Sequence, residues 1–380
     1  MRILHVLRAP VGGLFRHVRD LATEQASRGH AIGVLCDAST SDSLTEQRLS
    51  DLSEHLALGL HRINMPRGLG LGDVAATQAT KKLIAIHGCD VVHGHGAKGG
   101  AYARLAVGGS TATERTSQTE ARAYYTPHGG SLHYAPSSVQ GRIFMALEQR
   151  LSRATSGLIF ESAFSQKTYR RQVGPARCPE RVIANGLLPS EFFQHTPAHD
   201  AADVLFIGEL RDLKGIDILL EGLSKLRTQG HTATATVVGD GPDAAKFRAM
   251  ADDLSLSDTV TFTGALPAAK AFPRGRILVV PSRAESFPYI VLEAAAQAIP
   301  MIATDVGGIP EIVGQGSETL IPSKNSDALA AALVSFLNTP EHFEARAQAL
   351  QARASDRFSV AGMTTEILTF YRSFADSKAA

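Results

Sequence analysis

RILHVLRAPVGGLFRHVRDLATEQASRGHAIGVLC, residues 2–36, decides the fold. RILHVL is too rich in β-formers to start a helix. The loop RAPVGG follows, then an amphipathic stretch from about Leu14 to Ser27 with the apolar spacing of a helix. GHAIGVLC, residues 29–36, returns as a second strand. A strand–loop–helix–strand unit of this length predicts parallel strands joined by a right-handed crossover. DVVHGHG, residues 90–96, reads as a further buried strand with histidines at its carboxyl tip.

The second half of the chain starts again in the same way. DVLFIGEL (203–210) reads as a strand, RDLKG (211–215) as a loop, and IDILLEGLSKLRTQG (216–230) as a helix ended by Gly230. TATATVVGDGP (232–242) is the returning strand, and TVTFTGAL, RILVVPS and PMIATD supply three more. The expected architecture is α/β, with two Rossmann-like doubly wound domains facing across a cleft. One covers 1–187 and the other 203–355, with a linker-like stretch around 186–203. A last helix within 356–380 is free to pack back on the N-terminal domain. Doubly wound sheets bind ligands beyond the carboxyl ends of their strands, so two facing halves predict a substrate site between them.

Bulk properties narrow the classes. The 380 residues are 44% hydrophobic and 20% charged, ordinary for a globular chain. No run of about 18 uncharged apolar residues predicts a membrane span, and the start MRILHVLRAPVGG lacks the long apolar core of a signal peptide. Cys36, Cys89 and Cys178 are odd in number and form no CxxC, which suits a reduced cytoplasm without structural zinc. The one HxH, His93-Gly94-His95, reads as strand-end hydrogen bonding rather than a metal site. The net charge of +1 conceals an asymmetry. Residues 1–190 hold 22 Lys and Arg against 14 Asp and Glu, whereas 191–380 hold 16 against 23. The basic half suits an anionic surface or substrate.

Candidate chemistry falls at strand ends. Arg211 and Lys214 lie in the loop feeding a helix start, where free N–H groups and the macrodipole favour an anion. One forked donor and one point charge suit a diphosphate, and solvated loop charges are the equal alternative. Gly12 and Gly13 close the first strand-to-helix loop, where glycine permits close approach to a ligand or simply a tight turn. The loop lacks GxGxxG, which argues against a dinucleotide cofactor and hence a dehydrogenase. His128, in YYTPHGG, either contacts a sugar hydroxyl or reacting group or is structural. In AESFPYIVLEAAAQAIPMIATDVGGIPEIV (284–313), Glu285 follows the strand RILVVPS, Pro288 suits a first helical position, and Glu293 falls inside the next helix. Glu285 would then meet sugar hydroxyls, Glu293 the paired hydroxyls of a ribose, and the helix start a phosphate between them.

With these residues on view, the chain resembles the retaining glycosyltransferases of family 4, which have the two-Rossmann GT-B fold. The likeness runs over nearly the full length. It is carried by GGLFRHV, PHG at 127–129, ANGL at 184–187, GELRDLKG at 208–215, VVGDGP at 237–242 and, most specifically, the E-x7-E stretch from Glu285. The resemblance implies Gly12 and Gly13 near the donor phosphate, His128 near the donor sugar, and Arg211 and Lys214 on the diphosphate. It also implies Glu285 on the transferred sugar, Glu293 on the ribose, and Phe287, Tyr289 and Ile290 among the donor-binding residues. Glu285, His128, Arg211 and Lys214 would form the catalytic set. Two departures stand out. Ser286 and Pro288 replace glycines of a common E-G-F-G, removing one backbone donor. Ala298 replaces a common glycine, read as a packing change.

The implied reaction is transfer from a nucleotide-diphosphate sugar to a saccharide or lipid-linked acceptor, in polysaccharide or lipopolysaccharide synthesis. The leaving diphosphate would help deprotonate the acceptor on the same face, with no protein nucleophile, unlike retaining hydrolases. No DxD occurs, so no metal and no other cofactor is expected; nor is nucleic acid a partner. QGRIFMALEQRLSR (140–153) puts Phe144, Leu147 and Leu151 on one face among Arg142, Arg150 and Arg153. That face suits either the core or an anionic membrane surface, giving a cytoplasmic protein with a peripheral membrane option. The rivals are a sugar-nucleotide epimerase or hydrolase of the same architecture and a non-catalytic sugar-nucleotide binding protein.

Overall fold

A computed structural model describes residues 1–39, 43–68, 70–108, 121–129 and 138–373, with backbone alone at 140. The chain divides into two units, Met1–Gly186 together with the segment from Val360, and Leu187–Ser359.

The first unit holds β1 (Arg2–Leu7), β2 (Ala31–Asp37), β3 (Gly59–Ile63), β4 (Val91–His95), β5 (Arg122–Thr126), β6 (Gly157–Phe160) and β7 (Glu180–Val182). They form one sheet in the order β3-β2-β1-β4-β5-β6-β7, with every described pair parallel. Parallel strands are covered on both faces by crossover helices, so they read as continuous apolar runs. In β1, for example, Ile3 through Leu7 are all buried. The strand order reverses between β1 and β4, which makes their carboxyl ends the switch point where doubly wound sheets open to ligands.

The first helix runs from Gly12 to Ser27, two residues earlier than its apolar spacing suggests, because Gly12 takes φ 65 and lets the loop turn straight into it. The last helix, Val360–Arg372, buries Met363, Ile367, Leu368, Phe370 and Tyr371 in the core cluster of the first unit. Residues 374–380 lie outside the described residues. A buried Arg104–Glu148 pair ties helix Gly96–Gly108 to helix Val139–Leu151 at 2.8 Å.

The second unit repeats the plan. Its strands are β8 (Ala202–Ile207), β9 (Ala235–Val238), β10 (Val260–Gly264), β11 (Gly275–Val280), β12 (Met301–Thr304) and β13 (Leu320–Ile321), ordered β10-β9-β8-β11-β12-β13 and again parallel. Its switch point lies between β8 and β11. Residues 187–202 belong to this unit, where the Leu187 N–H donates to Phe358 O at 3.0 Å.

Two expectations need correction. Pro288 is not the first helical residue but the N-cap of helix Tyr289–Ala296, with φ −75 and ψ 125; its carbonyl accepts the Val291 N–H. Ala298 is more than a packing substitution: its φ is +51, a left-handed position just past the helix end where glycine carries no Cβ penalty.

Candidate functional site

In the second unit the site is built on the loops after β8 and β11. The β8 loop passes through Gly208, Glu209 and Leu210 into a short 3-10 turn, Asp212–Lys214, and then into helix Ile216–Thr228. Gly215 joins the two at φ 70, and a Cβ there would lie 2.0 Å from the Pro281 carbonyl oxygen. Only glycine lets the two loops meet this closely. The β8 loop is also held from its far side, because Leu210 exchanges backbone bonds with Asp240 and Asp243, and the Asp243 carboxylate accepts the Asp212 N–H at 2.9 Å. This is the structural use of VVGDGP.

The contact that results joins two of the residues singled out by sequence. Lys214 Nζ reaches Glu285 Oε1 at 2.6 Å, with side-chain exposures of 25% and 10%. Ser282 Oγ donates to the same Glu285 oxygen at 2.8 Å, so among the described residues Oε2 keeps its acceptor capacity. The Ser282 carbonyl is in turn held by Thr304 Oγ1 at 2.6 Å. Behind Glu285, Gly307 takes φ 62, and a Cβ on it would sit 1.6 Å from the Glu285 carbonyl oxygen. The conspicuous Gly-Gly pair therefore lets the next loop pass against Glu285. Arg283 completes the frame. Its N–H donates to Leu213 O at 2.8 Å and its guanidinium grips the Asp217 carboxylate. Burial works against the charged Asp217, but the Arg283 bonds prevail and hold its carboxyl below the usual range.

Arg211 does not join this pair. It caps the short turn, is about half exposed, and lies 3.5 Å from Glu209 on the same loop. Glu293 lies one turn into helix Tyr289–Ala296 and is half-buried. Ile290 is half-buried too, while Phe287 and Tyr289 are buried, the Phe287 ring standing edge-on to Phe358 at 5.7 Å. Phe287 is thus core in its side chain. Ser282, Arg283 and Thr304, which sequence reasoning passed over, position the pair; a Ser and a Thr at consecutive strand ends were the available signal.

The first unit places Gly12 and Gly13 on an exposed helix start whose N-cap, Val11, offers no side-chain bond. The same helix turns His17 inward toward the sheet. There it meets a cluster that no local pattern announced. β4 presents His93 and His95 on one face, as its two-residue period requires, and the register sets His5 of β1 opposite His93. His128 follows β5 at a left-handed φ of 49 and is half-buried; the second glycine after it, Gly130, lies outside the described residues. His5 Nε2 bonds Gln25 Oε1 at 2.8 Å, His5 Nδ1 bonds His95 Nε2 at 3.0 Å, and His95 Nδ1 bonds His128 Nε2 at 3.1 Å. With the Gln25 oxygen as terminal acceptor, each ring donates to the one before it. His93 is held by Thr126 and Tyr371, and His17 Nδ1 by Asn185 Oδ1 at 2.9 Å. Burial lowers the pKa of His5 and of His17 to about 4 and holds His93, His95 and His128 well below the ordinary imidazole value, so all five are neutral at pH 7. The HxH does hydrogen-bond, as expected of strand-end histidines, but within a five-histidine cluster assembled from distant segments.

The stripe Phe144, Leu147 and Leu151 turns toward the protein. Leu151 is buried and Phe144 packs against the cluster of Tyr125, Met145 and Phe160. The exposed face of that helix carries Val139 and Ile143 with Arg142 and Arg150. No helix among the described residues is long and apolar enough to cross a membrane.

Comparison with known proteins agrees with this geometry. Residues 12–186 match the family described as Glycosyl transferase 4-like domain, and residues 189–354 match Glycosyl transferases group 1. A protein named glycogen synthase from Mycobacterium tuberculosis (strain CDC 1551 / Oshkosh) is 28% identical over 390 residues, covering 94% of this chain and 91% of that one. A D-inositol 3-phosphate glycosyltransferase of Segniliparus rotundus is 33% identical over 177 residues, 44% of this chain and 39% of the relative. Among solved structures, sucrose-phosphate synthase from Thermosynechococcus elongatus superposes with a TM-score of 0.79 at 20% identity, covering 99% of this chain and all of the other. Anabaena HepE in complex with UDP and glucose gives 0.77 at 20% identity, over 98% of this chain and 100% of its own. At such identities these likenesses speak for the fold.

Proposed function

The chain belongs to the GT-B glycosyltransferases of the family-4 type, and from that premise we propose that it is a retaining, metal-independent hexosyltransferase. In this reading it moves a sugar from a nucleotide-diphosphate donor to a saccharide or lipid-linked saccharide in polysaccharide or lipopolysaccharide synthesis. The observation that carries the reading is the Lys214–Glu285 pair at the switch point of the second sheet.

Lys214 and Arg211 hold the diphosphate, Glu293 the ribose, and Glu285 Oε2 the hydroxyls of the transferred sugar. The backbone around Phe287, Tyr289 and Ile290 borders the same donor. As the glycosidic C–O bond stretches, negative charge grows on the leaving diphosphate oxygen. A lysine already fixed beside it stabilises that charge without reorganising at the moment of reaction. The Glu285 carboxylate offsets positive charge growing on the sugar ring. The acceptor hydroxyl gives its proton to the departing phosphate oxygen and bonds the anomeric carbon on the same face. For the first unit, the family resemblance supplies the roles of Gly12 and Gly13 toward a phosphate and of His128 toward a sugar.

The donor class is supported by neighbours solved with UDP, with UDP and glucose, and with UDP-glucose. The exposed Val139, Ile143, Arg142 and Arg150 form the face that would rest on an anionic cytoplasmic membrane surface and bring the protein to a lipid-linked acceptor.

The test incubates the protein with a panel of nucleotide hexoses, with and without acceptor mixtures and excess chelator. Expected are acceptor-dependent nucleoside diphosphate release and a product whose anomeric configuration matches the donor. An inverted product sinks the retaining reading. Loss with chelator that added metal restores sinks the metal-free one, and acceptor-independent turnover points to an epimerase or hydrolase.

A further inference from the structure

The geometry points to a transition-metal site in the first unit, where His17, His95 and His128 bind one zinc ion through three neutral imidazoles and leave a fourth position to water.

Each ring stands about 5 Å from the other two, with centroids at 4.8 Å (His17–His128), 5.4 Å (His95–His128) and 5.6 Å (His17–His95). One nitrogen from each of the three lies within 4.8 Å of the others. Zinc–imidazole bonds of about 2.0–2.1 Å set tetrahedral ligand atoms roughly 3.4 Å apart, so a small closure of the rings suffices. Hydrogen bonding fixes which nitrogen is offered. His17 gives its Nδ1–H to Asn185, so Nε2 carries the lone pair, and that atom is buried with no hydrogen-bond partner although the residue is only 1% exposed. A buried acceptor without a donor is costly, and a cation relieves it.

His95 gives Nε2–H to His5, which gives its own Nε2–H to Gln25; Nδ1 is the ligand atom that remains. Rings that donate one N–H to an oxygen or nitrogen behind them and present the other nitrogen forward are the arrangement of metal-binding histidines. His128 Nε2 completes the set. Its proton, now directed at His95 Nδ1, moves to Nδ1 of the same ring, so the site fills without net proton release. His128 is also half-buried, which gives the ion a way in and a water for its open side.

A second trio in the same cluster, His5, His93 and His95, also has close ligand atoms. It does not compete. Both nitrogens of His5 and both of His93 already have partners, and all three residues are sealed at 0 or 1% exposure.

Metal binding here does not rest on the glycosyltransferase reading; only its effect on transfer does. If His128 serves the donor sugar, an ion on its Nε2 withdraws it, and zinc slows transfer that proceeds without metal.

The test uses chelator-treated full-length protein without a histidine tag, titrated with Zn²⁺ by calorimetry and with Co²⁺ by visible spectroscopy. Expected are one tight equivalent and the intense absorption of four-coordinate cobalt. His17→Gln and His128→Asn should each weaken binding about tenfold or more, while His61→Gln, at a histidine pair elsewhere in the unit, leaves it intact. Should His17→Gln fail to fold, the more exposed His128→Asn decides. Absence of a stoichiometric site, or full-strength binding in His128→Asn, overturns the assignment. No nucleotide sugar is present in these titrations. Zinc binding in a protein that transfers nothing therefore defeats the functional reading alone, and transfer by a protein that binds no zinc defeats only this one.

Discussion

Lys214 and Glu285 meet at 2.6 Å although 71 residues separate them, because β8 and β11 are neighbours at the sheet's switch point and their loops are pressed together at Gly215. The ammonium is held before any substrate arrives. Lys214→Ala should therefore lower kcat by about 10²–10³-fold. Glu285→Gln keeps an acceptor for Ser282 but loses the charge, and should cost about 10²-fold with little change in fold. Steady-state kinetics with the donor varied checks both. Wild-type kcat in Lys214→Ala would remove that lysine from the chemistry.

Glu161 is a carboxyl at the end of β6 that is 2% exposed, and its Oε2 has no hydrogen-bond partner. Burial raises its pKa to about 7, against a smaller opposing effect of its own backbone N–H. Between about 4.5 and 7 the folded chain keeps a proton that the unfolded chain has released. This group's stabilising contribution is thus full below pH 4.5 and is lost as pH rises through 7. Glu161→Gln, always neutral, should be the more stable protein at pH 8, by at most about 3 kcal/mol, with the advantage shrinking toward pH 5. Urea unfolding of both proteins at four pH values reads the trend; a difference that does not change with pH contradicts it.

Arg104 and Glu148 form a fully buried ion pair at 2.8 Å. Tyr125 O–H also donates to the carboxylate at 2.9 Å, and the guanidinium carbon lies 3.9 Å from the Tyr125 ring centroid. Removing one partner leaves a buried charge without compensation. Glu148→Leu should cost about 3–5 kcal/mol, whereas Arg104→Met with Glu148→Leu should cost far less than the two single changes together. Denaturation of the four proteins in a double-mutant cycle measures the coupling.

The repeated strand–loop–helix–strand pattern was legible because it depends on local periods, apolar runs for strands and a 3.6 repeat for helices. Glu285, Lys214 and Arg211 were legible as strand-end residues for the same reason. That Lys214 joins Glu285 while Arg211 pairs with Glu209 was not, since it depends on which loop Gly215 lets through. The histidine cluster was hidden more deeply. His5, His17, His93 and His128 lie on four segments and meet only through strand register and the inward face of the first helix. The apolar face of Phe144, Leu147 and Leu151 was legible as a core face, and its packing bears that reading out; the other apolar pair on the helix, Val139 and Ile143, is the exposed one.

Ala298 gives a prediction from backbone alone. It lies just past helix Tyr289–Ala296 at φ 51, where its N–H bonds Ala295 O at 3.2 Å and the next N–H, of Ile299, bonds Ala294 O at 2.9 Å. Left-handed backbone costs a residue with a Cβ about 1–2 kcal/mol. Glycine avoids that cost but gives the unfolded chain more freedom, worth about 0.4–1 kcal/mol in the opposite direction. The first effect is the larger, so Ala298→Gly should stabilise the second unit by about 0.5–1 kcal/mol. Ala298→Val should destabilise it, because a β-branched side chain tolerates positive φ poorly. Chemical denaturation of the three proteins orders them. If glycine proves the least stable of the three, the methyl's packing outweighs the backbone strain and the simpler packing account of this position is restored.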